Sequence, residues 1–450
     1  MKYKIKSEEI NSSFRSILRI SIPMVLSVLS ANLMVFVDRI ILAGYSSNAM
    51  YAAIISGNFV AVFVWVFVGI ASTAGVFVGQ YNGQNEREKL AAPVWQMIYM
   101  SLASSVILVP MGFFSEYINF LPDYVLKDGI DYQRPLFYFG FLPSLIAGLS
   151  AFFIGQGKTS IITNITILGN ILNAILTYYL VYNLNLGASG ASIGTVISQG
   201  FQAIVLIITF LSKNNRRSFY TLKNCQFNKK IFTACFKIGV PVSANNFFLI
   251  LAWYILATIS GYASKEMGII WGFGANIYNI TIFFAEGLGK SITAIISNMI
   301  GRQDIESIKK VYKRFVIIVA IFICVVLMPS MVLFPNIAFK VLNIVRNEVE
   351  GIYSQLVTVL KLSFFMLCFE SFEYVTWGIL TSGGDTRYPA IVSQVCLWGL
   401  IVIPVYVLYS LSKLSSINTI YSFCVLSYAI SSFIIYKRYR SMRWYERLNV

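Results

Sequence analysis

The stretch MVFVDRIILAG at 34–44 places a carboxylate, Asp38, and a guanidinium, Arg39, inside an apolar run that reaches back to about Ile17. A charge at the centre of a membrane helix costs ~2.5–3.5 kcal/mol, so an ionisable group there is a functional candidate by default. Neighbouring residues on a helix point roughly 100° apart, so Asp38 and Arg39 do not form one intrahelical pair. Arg39 is within reach of the helix end at Gly44 and is expected to snorkel to the headgroups. Two further stretches carry paired charges. FFAEGLGKSI holds Glu286 and Lys290, four apart on one helix face and expected to neutralise each other as a buried ion pair. CFESFEYVTWG holds Glu370 and Glu373, three apart, a spacing at which two carboxylates titrate as a coupled pair. They are read either as a proton or cationic-substrate site or as partners for Lys361 or Lys290.

The elements that carry these groups follow from composition. With 57% hydrophobic and 12% charged residues in 450, and a mean hydropathy of +0.71, the chain is far too apolar for a soluble domain. Crossing ~30 Å of hydrocarbon takes roughly 20 helical residues. Twelve apolar runs qualify, at 16–43, 51–80, 91–115, 135–155, 160–183, 187–212, 232–260, 267–300, 311–338, 352–382, 388–411 and 414–436. Strand alternation of the barrel type is absent, which leaves helices as the way to satisfy the backbone in lipid. The expected fold is therefore an all-α integral membrane protein.

Of the 35 Lys and Arg, the segments on one side hold only Lys127, Arg134, Lys265, Lys340, Arg346 and Lys413, and most of the rest fall on the other. This bias predicts that both termini are cytoplasmic. The net charge of +16 is then topology and headgroup attraction, with no call for nucleic acid. The first span is too long for a signal-peptide core and no small-residue cleavage site precedes it, so it is expected to be retained.

Histidine is absent, which removes Ser-His-Asp and Cys-His nucleophiles, histidine-ligated haem and the usual zinc sites. Cys225, Cys235, Cys324, Cys368, Cys396 and Cys424 form no CxxC pair and imply neither a disulfide framework nor a metal site. No phosphate-cradling GxxxxGK[ST] occurs. An enzyme is not expected, and no cofactor or metal.

The chain repeats internally. IPMVLSV at 22–28 answers to VPVSANN at 240–246, GYSSNAM at 44–50 to GYASKEM at 261–267, and NGQNERE at 82–88 to IGRQDIE at 300–306, with a lag of 217 or 218 residues. GQGKTSIITN at 155–164 and GGDTRYPAIV at 383–392 are a further echo. Two pseudo-symmetric six-helix lobes, 16–212 and 232–436, are expected. A basic linker at 213–231 joins them, and cytoplasmic segments at 1–15 and 437–450 flank them. An even number of spans per copy gives both lobes the same orientation, with their pseudo-twofold axis along the membrane normal. Such lobes enclose a cleft that rocking would open to either side in turn. Trp65, Trp253, Tyr254, Trp271 and Trp377 are candidates to line it, with faces suited to cationic ligands.

In the order of its motifs the chain resembles the multidrug and toxic compound extrusion (MATE) family, whose superfamily includes oligosaccharide-lipid flippases. The resemblance rests on Pro23 and VDRIILAG, FVGQYNGQNEREK, GQGKT, LGNILNAILTYYLVY, LGASGASIGTVISQ and ILTSGGDTRYP, and it spans nearly the whole chain. It implies export of amphipathic, cationic compounds by H+ or Na+ antiport from a monomer in a cell membrane. Asp38 matches the family's first-span acidic residue at the coupling-cation site, with Asn173, Thr195 and Pro23 as its matched companions. Thr177 stands where many relatives have a second aspartate, which weakens a two-carboxylate Na+ site. Leu249 replaces a seventh-span acid, so the second lobe offers Glu286, Lys290, Glu370 and Glu373 instead. A lipid-linked oligosaccharide flippase is the alternative, with a non-transporting receptor or membrane enzyme more remote.

Overall fold

The protein is described by a computed structural model covering residues 10–118, 125–329 and 353–446. All regular elements among them are helical. The first half comprises α1 (Phe14–Tyr45), α2 (Ser47–Ser72), α3 (Ala74–Gly83), α4 (Ala91–Phe113), α5 (Leu126–Tyr138), α6 (Phe141–Gly155), α7 (Thr159–Tyr178) and α8 (Gly187–Phe210). A short α9 (Lys213–Phe219) lies in the linker. The second half comprises α10 (Lys229–Ala263), α11 (Lys265–Thr281), α12 (Phe283–Gly301), α13 (Ile305–Phe322), α14 (Tyr353–Ser382), α15 (Arg387–Leu397), α16 (Ile403–Ser410), α17 (Ile417–Arg440) and α18 (Arg443–Glu446).

Among the described residues ten helices, counting α2–α3 and α11–α12 as single broken spans, are long and apolar enough to cross a membrane. The pair α5–α6, bent by 41°, makes an eleventh. The predicted ninth span, 311–338, begins as α13 and continues as one wide turn at Ile323–Leu327; its part from 330 onward lies outside the described residues, as do parts of the predicted terminal segments.

The two copies match in local detail. Ser46 and Ser264 are equivalent extended residues that end one helix and cap the next. Each donates its N–H back to the preceding helix (Leu42 O, Ser260 O) and accepts one from the next (Ala49 N, Met267 N). Serine suits this place because its hydroxyl satisfies an N–H that the first helical turn leaves orphaned. The copies also turn left-handed at equivalent points: Asn85 (φ 60°) and Gln303 (φ 59°), Gly157 (φ 74°) and Gly384 (φ 72°), Asn185 (φ 53°) and Ser412 (φ 54°). Around the first pair even the hydrogen bonds correspond: Glu86 N to Tyr81 O and Asn85 N to Asn82 O are mirrored by Asp304 N to Met299 O and Gln303 N to Ile300 O. This is the 6→1 and 5→2 pattern that closes a helix on a left-handed residue.

Asp304, next in line, caps α13 by accepting the Ser307 N–H at 3.0 Å. The Ser307 side chain and N–H hold its carboxyl below the usual aspartate range. A depressed folded value contributes stability above the unfolded pKa, and that stability is lost as pH falls through the folded one. Asp304→Ala is expected to cost about 1 kcal/mol. The measurement is detergent-phase thermal unfolding at neutral and acid pH, and the difference between variant and parent should vanish once the parent's carboxyl is protonated.

The lobes meet toward one end. Cross-lobe bonds join Ser21 to Ser291 (2.8 Å), Asn32 to the Asn279 carbonyl (2.9 Å), Ser243 to the Val66 carbonyl (2.6 Å), and Asn82 to Asn298 (2.6 Å). Ile10, Ile17 and Ile20 of the first lobe share a core with Leu288, Ile292, Ile296 and Ile300 of the second. On the first lobe these contacts fall at 10–32, just before and within the chain's first span, and at 66–83 of its second. That is the end carrying the basic linker, whose backbone is tied to α4 by Trp95 (to Thr221 O, 2.6 Å) and Gln96 (to Gln226 O, 3.1 Å). Toward the other end, Gly44 faces Tyr182 and Gly57 faces Tyr132, both of its own lobe. The lobes are thus clasped at the basic end.

Candidate functional site

Helix α1 passes through Pro23, whose missing N–H leaves a carbonyl one turn earlier without its helical partner. A row of hydroxyls and amides on α7 and the wide turn that continues it to Asn183 then fastens them along α1: Thr159 to Ile20 O (3.1 Å), Thr163 to Pro23 O (2.6 Å), Asn170 to Ser30 (2.7 Å) and Tyr182 to Ile41 O (2.9 Å). On the far side of α7, glycines admit α8. A Cβ on Gly190 would lie 2.9 Å from the Leu180 carbonyl carbon, and one on Gly194 3.1 Å from the Thr177 nitrogen. This GxxxG spacing brings helix backbones together, and it delivers Thr195 to the α1–α7 seam.

Asp38 lies there, 7% exposed. Asn173 and Thr177, one turn apart on α7, and Thr195 of α8 surround it, all buried. With its amide oriented to satisfy the network, Asn173 donates to Asp38 Oδ1 at 3.1 Å and accepts from the Thr195 hydroxyl at 3.2 Å and the Thr195 N–H at 3.3 Å. The Thr195 hydroxyl lies 3.4 Å from Asp38 Oδ2. Thr177 lies beside the carboxylate, but its hydroxyl finds no hydrogen-bond partner among the described residues. The structure therefore gathers Asp38, Asn173, Thr177 and Thr195. Pro23 is not part of the cluster, since fifteen residues of helix separate it from Asp38 by about 22 Å. Arg39 is half-buried.

In the second lobe Glu370 (4% exposed) and Glu373 (8%) are buried on α14, but they face different partners. The Tyr278 hydroxyl reaches both Glu370 oxygens, at 2.7 and 2.6 Å. Glu373 accepts from Ser393 at 2.7 Å and from Ser432 at 3.4 Å. Of the two readings, the bridge to Lys361 or Lys290 does not form; hydroxyls of α11, α15 and α17 take its place. Nothing in the local pattern signalled these partners, because each comes from a separate span.

Lys290 and Glu286 do pair, at 2.7 Å, but with 46% and 27% of their side chains exposed. The expected buried pair is thus a half-exposed one, because of where it sits on α12. Residues 286, 290, 297 and 301 follow a single helical stripe. The lower members of the stripe abut α3: a Cβ on Gly79 would lie 2.6 Å from the Ser297 Cβ, and one on Gly301 3.1 Å from the Gln80 Cα. About two and three turns from Ser297, Lys290 and Glu286 flank the seam between the lobes, where a Cβ on Gly287 would lie 2.6 Å from the Val25 Cα.

The aromatic candidates divide. Trp65 and Tyr254 are 45% and 48% exposed. Trp271 is 6% exposed and packs against Trp253 and Tyr421 in the second-lobe core, so it does not line a cleft. Trp253 also stacks on Tyr278, and Trp377 packs on the shared core. The opportunity to bury a large ring in helix packing decides these positions. No group of three or more metal-ligating side chains occurs among the described residues.

Comparison with known proteins agrees with this architecture. A family profile described as MatE matches twice, at residues 23–179 and 242–408, once in each lobe. The chain is 23% identical to a probable multidrug resistance protein NorM of Pasteurella multocida, over 85% of this chain and 84% of that one. It is 19% identical to an uncharacterized transporter, YisQ, of Bacillus subtilis, over 91% and 90%. Among solved structures, an outward-facing multidrug resistance MATE transporter superposes with a TM-score of 0.85 at 17% identity, covering 96% of both chains. A superfamily transporter from Pyrococcus furiosus, noted for reversed polarity of its binding pocket, gives 0.86 at 17% identity, again covering 96% of both.

Proposed function

The chain belongs to the MatE family of multi-pass membrane transporters, and from that premise we propose that it is a proton-coupled exporter of amphipathic organic cations, with its basic end in the cytoplasm. The observation that carries this reading is the buried Asp38–Asn173–Thr195 network. Ionised, Asp38 accepts from the Asn173 amide nitrogen, as in the orientation described. Protonated, it becomes a donor, and the amide must turn to offer its oxygen. One proton thus rewires the contact between α1, α7 and α8, a local change of the kind that biases a two-state element. A single carboxylate among neutral amides and hydroxyls, with Thr177 in place of a second acid, favours H+ over Na+ as the coupling ion.

The cationic substrate class draws its support from the side chains available to meet a ligand. Lys290 is neutralised by Glu286, and Trp65 and Tyr254 offer half-exposed rings. Against a pyrophosphate-bearing lipid substrate, Lys290 is already engaged by a carboxylate. The test is efflux of a fluorescent organic cation from proteoliposomes under an imposed pH gradient or an imposed Na+ gradient alone. Export driven by the pH gradient and not by sodium is expected. Export driven only by sodium, or transport confined to anionic lipid, would refute the reading.

A further inference from the structure

We infer that Gly83 and Gly301 are positioning residues of the transport cycle: together with Gln80 and Asn298 they form a two-fold clasp that closes the basic end of the cleft. Gly83 and Gly301 are repeat equivalents, as are Gln80 and Asn298. Gly83 rests on the backbone of Asn298: an added Cβ would overlap the Asn298 carbonyl oxygen and lie 2.9 Å from its carbon. Gly301 rests in the same way on Gln80, with the Gln80 carbonyl carbon again at 2.9 Å.

The side chains of the same two residues reach across reciprocally. Gln80 donates to the Ser382 carbonyl at 2.9 Å, at the end of α14, and Asn298 donates to the Gly155 carbonyl at 2.7 Å, at the end of α6. Ser382 and Gly155 end the fourth span of their respective lobes. Each lobe therefore supplies a glycine, a cross-reaching amide and a receiving carbonyl to the other, the self-complementary arrangement of an isologous twofold contact.

Backbone packed on backbone is either in register or apart, since close-packed contacts do not stretch. Any opening of the cleft toward the basic end must break both halves of the clasp together, and a methyl at either glycine prevents both from closing.

The readout is hydrogen–deuterium exchange of the full-length protein, following peptides that cover 77–86 and 295–304 at the clasp and 42–47 and 260–265 at the opposite end. Gly83→Ala and Gly301→Ala are expected to speed exchange at the clasp by about tenfold as the population shifts toward the opened form. Exchange at the opposite end should slow as that end closes. Turnover in proteoliposomes should drop by a similar factor while substrate affinity holds. Faster exchange at both ends alike would mean simple loosening and would overturn the inference, as would unchanged exchange with normal turnover. Gln80→Ala removes one cross-lobe bond and Asn298→Ala two, those to the Gly155 carbonyl and to Asn82, and neither adds bulk. They should show the same reciprocal pattern at smaller amplitude, and they decide the matter if the alanine-for-glycine variants do not fold.

Discussion

Asp38→Asn is expected to lower pH-gradient-driven export by roughly 100-fold, toward the upper end of the range of coupling free energies between linked sites, while the protein stays folded and still binds its substrate. The substitution is nearly isosteric, and the new amide can still bond to Asn173 and Thr195, so the α1–α7–α8 seam keeps its packing. The proton is what disappears. Without it the orientation of Asn173 no longer answers to pH, and the seam's preference is uncoupled from the proton gradient. Substrate equilibrating down its own gradient needs no proton, so counterflow should persist after active export is gone. The check is a paired measurement on one preparation of proteoliposomes: gradient-driven efflux and substrate counterflow. Loss of both would mean that Asp38 serves the fold, and loss of neither that coupling resides elsewhere, with Glu370 and Glu373 the next groups to examine.

Much of this molecule was readable from spacing. The spans follow from runs of apolar residues, and the duplication from short echoes whose structural meaning is now visible. GYSSNAM and GYASKEM are alike because a serine must cap the second helix of each lobe. NGQNERE and IGRQDIE are alike because each ends a helix on a left-handed residue. The breaks at Thr73 and Ile282 were not readable, since neither carries a proline or glycine and both depend on how the halves pack. The Asp38 cluster was readable because resemblance ties Asn173 and Thr195 to it. The partners of Glu370 and Glu373 were not, because a hydroxyl 92 residues away leaves no periodicity. The packing of Trp271 was not readable for a related reason: an aromatic in a membrane helix looks the same in sequence whether it faces a cleft or a core. The clasp lay within the quoted echoes, but only the contact between Gly83 and Asn298 reveals why glycine recurs.

Breaking the ion pair between Asp385 and Arg438 is expected to cost about 3–5 kcal/mol, the penalty for leaving one buried charge without its partner. Asp385 follows left-handed Gly384, and its side chain is fully buried, with Oδ2 2.7 Å from Arg438 Nε. Arg438 is 10% exposed, in the last turn of α17, and its guanidinium lies 4.8 Å over the ring of Tyr388. Asp385→Ala and Arg438→Ala should each lower the thermal midpoint in detergent by several degrees. The double substitution should cost clearly less than the sum, because it strands no charge. The pair anchors the turn that follows Ser382, whose carbonyl receives the Gln80 amide across the lobes. Loosening that turn should therefore also weaken the clasp, so hydrogen exchange at 77–86 should quicken in the single variants before global unfolding begins. Single variants that melt with the parent would show that the pair contributes no net stability. Variants that melt early yet leave exchange at 77–86 unchanged would show that the pair holds α17 to its own lobe and has no part in closing the other.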